Sequence, residues 1–321
     1  MYRPVACATF AAGAMPVTAE DHQAPNKFRG AFTALITPMR ADGSVDDEAL
    51  VRLVERQIAH GIHGVVPVGT TGESATLSHA EHLHVVRTVT ETVAGRVPVL
   101  AGAGANSTEE ALALTRACHE LGVDGTLQVT PYYNKPTQAG LVAHFTKIAE
   151  EVDLPVILYN VPGRTGVDMQ PDTVARLAEH PNIHGIKEAS GDMYKDAQIR
   201  ERCPDDFALL SGDDFTILPF MSIGGDGVVS VVSNILPGII ANLCESAMAG
   251  GWTSARALHY HQLGLTRTLF LQSNPIPVKA AMSMLGLCGP GIRLPLVPLN
   301  PESEAGQALA AALKDIGALQ S

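Results

Sequence analysis

From Gly30 to about Gly251, eight short and nearly all-apolar runs alternate with amphipathic stretches, which predicts an α/β fold of the (β/α)8 TIM barrel class. Two further observations favour that class. The runs lack the polar–apolar alternation of half-buried strands, as expected of parallel strands covered on both faces. The first run leads into Thr37-Pro38-Met39-Arg40, not into the glycine-rich phosphate loop a doubly wound sheet would want. After Gly251 the alternation stops and a C-terminal helical appendix is expected. The organisation read from the chain is an N-terminal extension without fixed structure over 1–28, a barrel over 29–251 and a helical region over 252–321.

In order, the expected strands are 31–37, 64–68, 97–101, 125–130, 156–159, 183–187, 208–211 and 227–231. The helices between them carry start signals. Asp46 stands before Asp47-Glu48-Ala49-Leu50, and Ser78 with Glu81 forms a Ser-x-x-Glu capping box. Ser107-Thr108-Glu109-Glu110 supplies another, Thr137 precedes a helix over 141–148, and Pro171 fits a first helical position. Asp213-Asp214 is expected at a helix N-terminus rather than in a metal pair. Three terminal helices are expected over 252–271, 275–287 and 301–319. The first 28 residues are rich in small side chains, then polar through Glu20-Asp21-His22-Gln23. They lack the firm apolar run of a secretory signal and the arginines of a transit peptide. They read as a disordered extension or an over-long start, with Met15 as an alternative start.

Composition narrows the function classes. At 321 residues, 46% hydrophobic and 17% charged, the chain can build a large core. A net charge of −11 argues against nucleic acid or an anionic membrane as partner, while leaving a small anionic substrate open. No apolar run reaches the roughly 18 residues a membrane helix needs. The five cysteines, Cys7, Cys118, Cys203, Cys244 and Cys288, are scattered and lack CxxC spacing. That suits free thiols in a reducing, cytoplasmic compartment better than a disulfide frame or a zinc site. None of the twelve histidines offers metal-binding spacing with acidic support, so no metal is expected.

The unusual residues collect at the C-terminal ends of the strands, where barrels of this class carry their chemistry. The second strand ends in Gly69-Thr70-Thr71-Gly72-Glu73, the fourth in Thr130-Pro131-Tyr132-Tyr133-Asn134, and the fifth in Tyr159-Asn160-Val161-Pro162-Gly163-Arg164. The sixth ends in Lys187, the seventh in Ser211-Gly212-Asp213-Asp214, the eighth near Val229-Ser230. Three of the six tyrosines fall on this rim, in a chain with only 5% aromatics. A lysine closing a buried strand is costly, because desolvation disfavours the ammonium form. Such a lysine either snorkels or pairs, with Glu188 as the adjacent candidate, or serves as a nucleophile that forms an imine with a 2-oxo acid. A phenol linked to a hydroxyl can then move protons, Thr71 with the backbone N–H groups of its turn suits a carboxylate, and Arg164 offers a bidentate clamp for a second one.

With these residues in place the chain resembles the pyruvate-dependent class I aldolase superfamily, and within it the dihydrodipicolinate synthase family, from about Phe28 to Leu319. The motifs that carry the resemblance are the Gly69–Ser74 turn, Thr130-Pro131-Tyr132-Tyr133-Asn134, Tyr159-Asn160-Val161-Pro162 with Arg164-Thr165-Gly166, Gly185-Ile186-Lys187-Glu188-Ala189, and Asn274-Pro275-Ile276-Pro277-Val278-Lys279. The resemblance implies condensation of pyruvate with L-aspartate 4-semialdehyde through a covalent imine on Lys187, with no other cofactor. It implies a proton relay of Tyr159, Thr70 and Tyr133, the last reaching across a tight dimer into the neighbouring site. It implies pyruvate contacts from Thr71, from the Val229 backbone (many relatives have Ile there) and from the Gly212 region, and Arg164 as the receptor for the semialdehyde carboxylate. It implies a homo-oligomer, a tight dimer and a tetramer.

A second cluster is formed by Ser74, Ala75, His79, His82, Asn106, Glu110 and Tyr132. His79 and His82 share a helix face and Glu110 can pair with an ammonium group; capping and salt-bridging alone would also account for it. It resembles the site at which L-lysine inhibits family members. The competing readings are a sugar-acid lyase such as N-acetylneuraminate lyase, disfavoured by Thr70-Thr71 and by Arg164 with Tyr133, and a non-catalytic pyruvate-binding homologue.

Overall fold

In the computed structural model the described residues are 27–319; the expected N-terminal extension lies outside them but for its last two residues. Eight parallel strands follow one another: β1 (Gly30–Ala34), β2 (Gly64–Val66), β3 (Leu100–Gly102), β4 (Gly125–Val129), β5 (Val156–Asn160), β6 (Ile183–Glu188), β7 (Ala208–Ser211) and β8 (Gly227–Ser230). They hydrogen-bond in the order β2-β1-β8-β7-β6-β5-β4-β3. A parallel bridge from Val65 to Val99 joins the two ends of that order, so the sheet closes on itself.

The helices packed around it are α1 (Asp47–Ala59), α2 (His79–Val93), α3 (Thr108–Glu120), α4 (Gln138–Glu151), the single turn α5 (Pro162–Thr165), α6 (Pro171–Ala178), α7 (Met193–Arg202), α8 (Ile217–Ser222) and α9 (Pro237–Met248). Their starts follow the expected caps. The Asp46 side chain accepts from Ala49 N–H, and Thr137 accepts from Gly140 N–H. Ser78 and Glu81 satisfy each other reciprocally, as a capping box should. The C-terminal appendix is α10 (Trp252–Leu269), α11 (Ile276–Met284) and α12 (Glu304–Asp315).

Strand alternation divides the core in two. Phe28, Phe32, Val66, Leu100, Leu127, Ile157, Tyr159, Leu210 and Val229 fill the barrel interior. A larger apolar layer, including Leu35, Val65, Leu112, Phe145, Leu158, Ile186 and Leu209, sits between barrel and helices.

Several expected boundaries move, each for a local reason. β2 ends at Val66, short of 68, because Val68 adopts φ +49° and turns the chain off the sheet. β1 stops at Ala34, and β3 begins only at Leu100, Val99 contributing its single bridge to β2. The expectation for Asp213-Asp214 is wrong. α8 begins at Ile217, Asp213 accepts from Phe215 N–H in its own turn, and Asp214 is buried, accepting from the N–H groups of Val231 and Val232. Asp214 thus ties the end of β7 to the end of β8 instead of heading a helix.

Outside β6, Asp196 in the first turn of α7 is buried beside Glu188, Asp192 and Lys195. Burial, then the charges of Glu188 and Asp192, push its carboxyl up to about 7, with Lys195 opposing. The unfolded chain releases this proton near pH 4, so stability falls as pH rises from about 4 to 7. Asp196→Asn is therefore expected to raise Tm at pH 8, by about 2 kcal/mol in stability. The gain should shrink toward pH 4. Thermal unfolding of both proteins across that range checks it, and a gain independent of pH would contradict the assignment.

Candidate active site

β5 and β6 pair with Tyr159 opposite Lys187 and Asn160 opposite Glu188. The alternation turns Tyr159 and Lys187 toward the barrel interior. Both are buried, and Lys187 Nζ stands 4.1 Å from the centroid of the Tyr159 ring. Glu188 does not pair with Lys187. It points to the outer face and accepts from Asn160 Nδ2 (2.9 Å) and Ser190 N–H (2.7 Å). The nucleophile reading of Lys187 therefore has its geometry, and the Glu188 ion-pair reading does not.

Gly212 at the end of β7 explains how Lys187 fits. A Cβ there would lie 3.0 Å from Lys187 Cε and 2.5 Å from Ala189 Cβ, so only glycine lets β7 pass this close to the lysine stem. Val229 lies in the same barrel interior on β8.

Above the strand ends lies a cavity of about 450 Å³, lined by Thr70, Tyr159, Arg164 and Asn274 among others. Arg164 projects from α5, and its guanidinium donates to the Asn274 carbonyl at 3.2 Å. Thr71 is buried, its Oγ1 accepting from Asn274 Nδ2 at 2.9 Å. That bond leaves the Thr71 hydroxyl proton free to donate to a ligand. Asn274 thus touches both groups expected to hold carboxylates, a role invisible in sequence because its partners lie far up the chain.

A second long-range tie holds the same turn. Glu73, in the left-handed region at φ +57°, is buried against Lys279 of α11 and also accepts from Arg293 N–H at 3.0 Å. Arg293 in turn clamps Glu81 with both terminal nitrogens and keeps that carboxyl down at about 2. The C-terminal region, through Asn274, Lys279 and Arg293, is what fixes the Gly69–Glu73 turn. The motif containing Asn274 and Lys279 was legible; the pairing was not.

Tyr133 is the one expected relay member that does not line this cavity. It is 90% exposed, with φ +72°. A bulky side chain held in the left-handed region on an open face is strained, and such strain gathers at functional positions.

The second cluster does assemble. Ser74, Ala75, His79, His82, Glu110 and Tyr132 line the same cavity, and Asn106 Nδ2 donates to the Tyr132 carbonyl at 3.3 Å. His79 Nε2 lies 2.8 Å from Glu110 Oε1. His82 is buried with Nε2 on the Gly102 carbonyl, and burial lowers its pKa. Burial, with the Glu110 charge second, raises the Tyr132 phenol.

The Dihydrodipicolinate synthetase family model matches residues 27–316. A 4-hydroxy-tetrahydrodipicolinate synthase of Oleidesulfovibrio alaskensis is 53% identical over 279 residues, 87% of this chain and 95% of that protein. The crystal structure of dihydrodipicolinate synthase from Acinetobacter baumannii complexed with pyruvate superposes with a TM-score of 0.89 at 48% identity, covering 91% of this chain and 99% of that one. The enzyme from Cyanidioschyzon merolae with lysine bound gives a TM-score of 0.88 at 45% identity, covering 92% and 100%.

Proposed function

The chain belongs to the dihydrodipicolinate synthetase family, and from that premise we propose how its residues perform the reaction. It is a lyase that condenses pyruvate with L-aspartate 4-semialdehyde to 4-hydroxy-tetrahydrodipicolinate, the step that feeds lysine and diaminopimelate synthesis. The identity to synthases sets aside the sugar-acid lyase reading. The single observation that carries the mechanism is Lys187 Nζ over the Tyr159 ring at the ends of β5 and β6.

In this mechanism the Lys187 amine attacks the keto carbon of pyruvate and water leaves, giving an imine. Loss of a proton from the pyruvate methyl gives an enamine, whose carbon attacks the aldehyde of the second substrate. Tyr159, with Thr70 and the Tyr133 of a neighbouring subunit, carries protons to and from these atoms. Thr71 with the backbone N–H groups of its turn holds the pyruvate carboxylate, the Val229 backbone and the Gly212 region contact pyruvate, and Arg164 holds the carboxylate of the semialdehyde. The amino group of the bound semialdehyde then attacks the imine carbon, closing the ring and releasing Lys187. No cofactor beyond the lysine imine is invoked. The partner-supplied Tyr133 requires at least a tight dimer, and we place two such dimers in a tetramer.

Among the described residues no helix is long and apolar enough to cross a membrane, and the four described cysteines are free; both fit the cytoplasmic placement we favour. L-lysine is the inhibitor we assign to the second cluster, its ammonium group facing Glu110. The lysine-bound Cyanidioschyzon merolae enzyme supports this reading. Millimolar L-lysine is expected to inhibit the wild-type protein. Glu110→Ala or His82→Ala should relieve inhibition at least tenfold in concentration while leaving uninhibited turnover nearly intact, on the order of 1.4 kcal/mol of lost coupling. Steady-state rates against lysine concentration check this, and a wild-type enzyme indifferent to lysine would reduce the cluster to a capping and salt-bridge device.

A further inference from the structure

Asn160 and Glu188 each follow a reacting residue in its strand, and together they form the last register pair of β5 and β6. Beyond this rung a single backbone bond, from Ala189 N–H to the Asn160 carbonyl at 2.9 Å, joins the two strand tips. The two side chains add a second hold on the outer face. Asn160 Nδ2 donates to Glu188 Oε2 at 2.9 Å and to Asp168 Oδ1 at 2.9 Å, while Asn160 Oδ1 accepts from Met169 N–H at 2.9 Å. Glu188 Oε1 accepts from Ser190 N–H, and Asp168 is paired with Lys195. Both Asn160 and Glu188 are buried, at 0% and 2% exposure.

We propose that Asn160 and Glu188 are positioning residues: their clasp across the final β5–β6 rung sets where the Lys187 amine and the Tyr159 phenol stand. The proposal rests on the reading of Lys187 and Tyr159 given above. Three observations carry it. The clasp spans the two strands that bear the reacting groups. Every hydrogen-bonding atom of the two side chains that points into it is satisfied, which makes it rigid. A buried carboxylate is a poor source of net stability, so its presence here is better explained by geometry than by folding energy. The coupling to Lys187 is direct. The Glu188 carbonyl accepts from Gly212 N–H at 2.7 Å, and Gly212 is the position packed against the Lys187 stem. A displacement on the order of 1 Å at a reacting group can cost about 10²-fold in rate.

The test is a reciprocal exchange in the full-length, assembled enzyme. Glu188→Gln retains shape but has one carbonyl oxygen, so it cannot accept from both Asn160 and Ser190. Asn160→Asp sets a third carboxylate against Glu188 and Asp168. The double variant Asn160→Asp/Glu188→Gln reverses donor and acceptor across the rung and rebuilds the bond between the two side chains, while the bond to Asp168 stays lost. The readouts are kcat per pyruvate-trapping site, KM for pyruvate, and Tm. The expected result is a fall in kcat of about tenfold or more for Glu188→Gln at nearly unchanged pyruvate KM, with several-fold recovery in the double variant. Glu188→Asp, which keeps the charge but shortens the reach, should also lose kcat, and serves if Glu188→Gln does not fold. Wild-type kcat per site in the folded single variants, or no recovery in the folded double variant, overturns the proposal. Pyruvate trapped by the wild-type enzyme on a lysine other than Lys187 overturns the reading of the site itself and is scored first.

Discussion

Replacing Lys187 by alanine is expected to abolish covalent capture of pyruvate and to lower kcat on the order of 10³-fold or more, because the proposed reaction begins with the imine on this residue. The variant should fold. Lys187 makes no ion pair among the described residues, so its removal strands no buried partner charge. The contrast is Lys279, which is equally buried but locked to Glu73. Truncating Lys279 leaves that carboxylate unpaired and should cost about 3–5 kcal/mol of stability. A Lys187→Ala protein with normal Tm and retained turnover would show that the chemistry lies elsewhere.

The second large effect is expected at the two relay phenols. Tyr159→Phe keeps the ring under Lys187 and removes only the hydroxyl, so folding should survive while kcat falls on the order of 10²-fold or more. Tyr133→Phe should have an effect of the same order, although within its own chain Tyr133 points to solvent. That combination identifies a residue that acts in the neighbouring subunit. Mixing Tyr133→Phe with Lys187→Ala chains under subunit exchange should restore part of the activity, since a mixed dimer holds one site with both groups intact. Absence of recovery in confirmed mixed dimers would remove Tyr133 from the relay.

Much of this site was legible in the sequence because barrels put their chemistry at strand ends, and strand ends can be read from where apolar runs stop. Lys187, Tyr159 and Thr70 were singled out in that way, and the fold followed from eight repeats of one pattern. What escaped was of two kinds. Left-handed backbone at Val68 and Glu73 shortened β2 and shaped the turn after it, and neither residue type signals such a conformation. Contacts between distant segments, such as Asn274 with Thr71 and Lys279 with Glu73, leave no periodic trace. Asp214 was misread for the same reason: its carboxylate serves backbone N–H groups at the end of the next strand, seventeen residues on, not the helix that follows it. Acidic pairs before a helix are common, and only tertiary structure separates the two uses.

The account stands on one covalent bond, and the most direct measurement of it is borohydride reduction of the wild-type protein with pyruvate, followed by peptide mass spectrometry. The chain has six other lysines. The prediction is a single reduced adduct on the peptide containing Lys187, formed in proportion to lost activity and absent without pyruvate. An adduct on Lys279, Lys135 or any other lysine, or full inactivation without an adduct on Lys187, would contradict it.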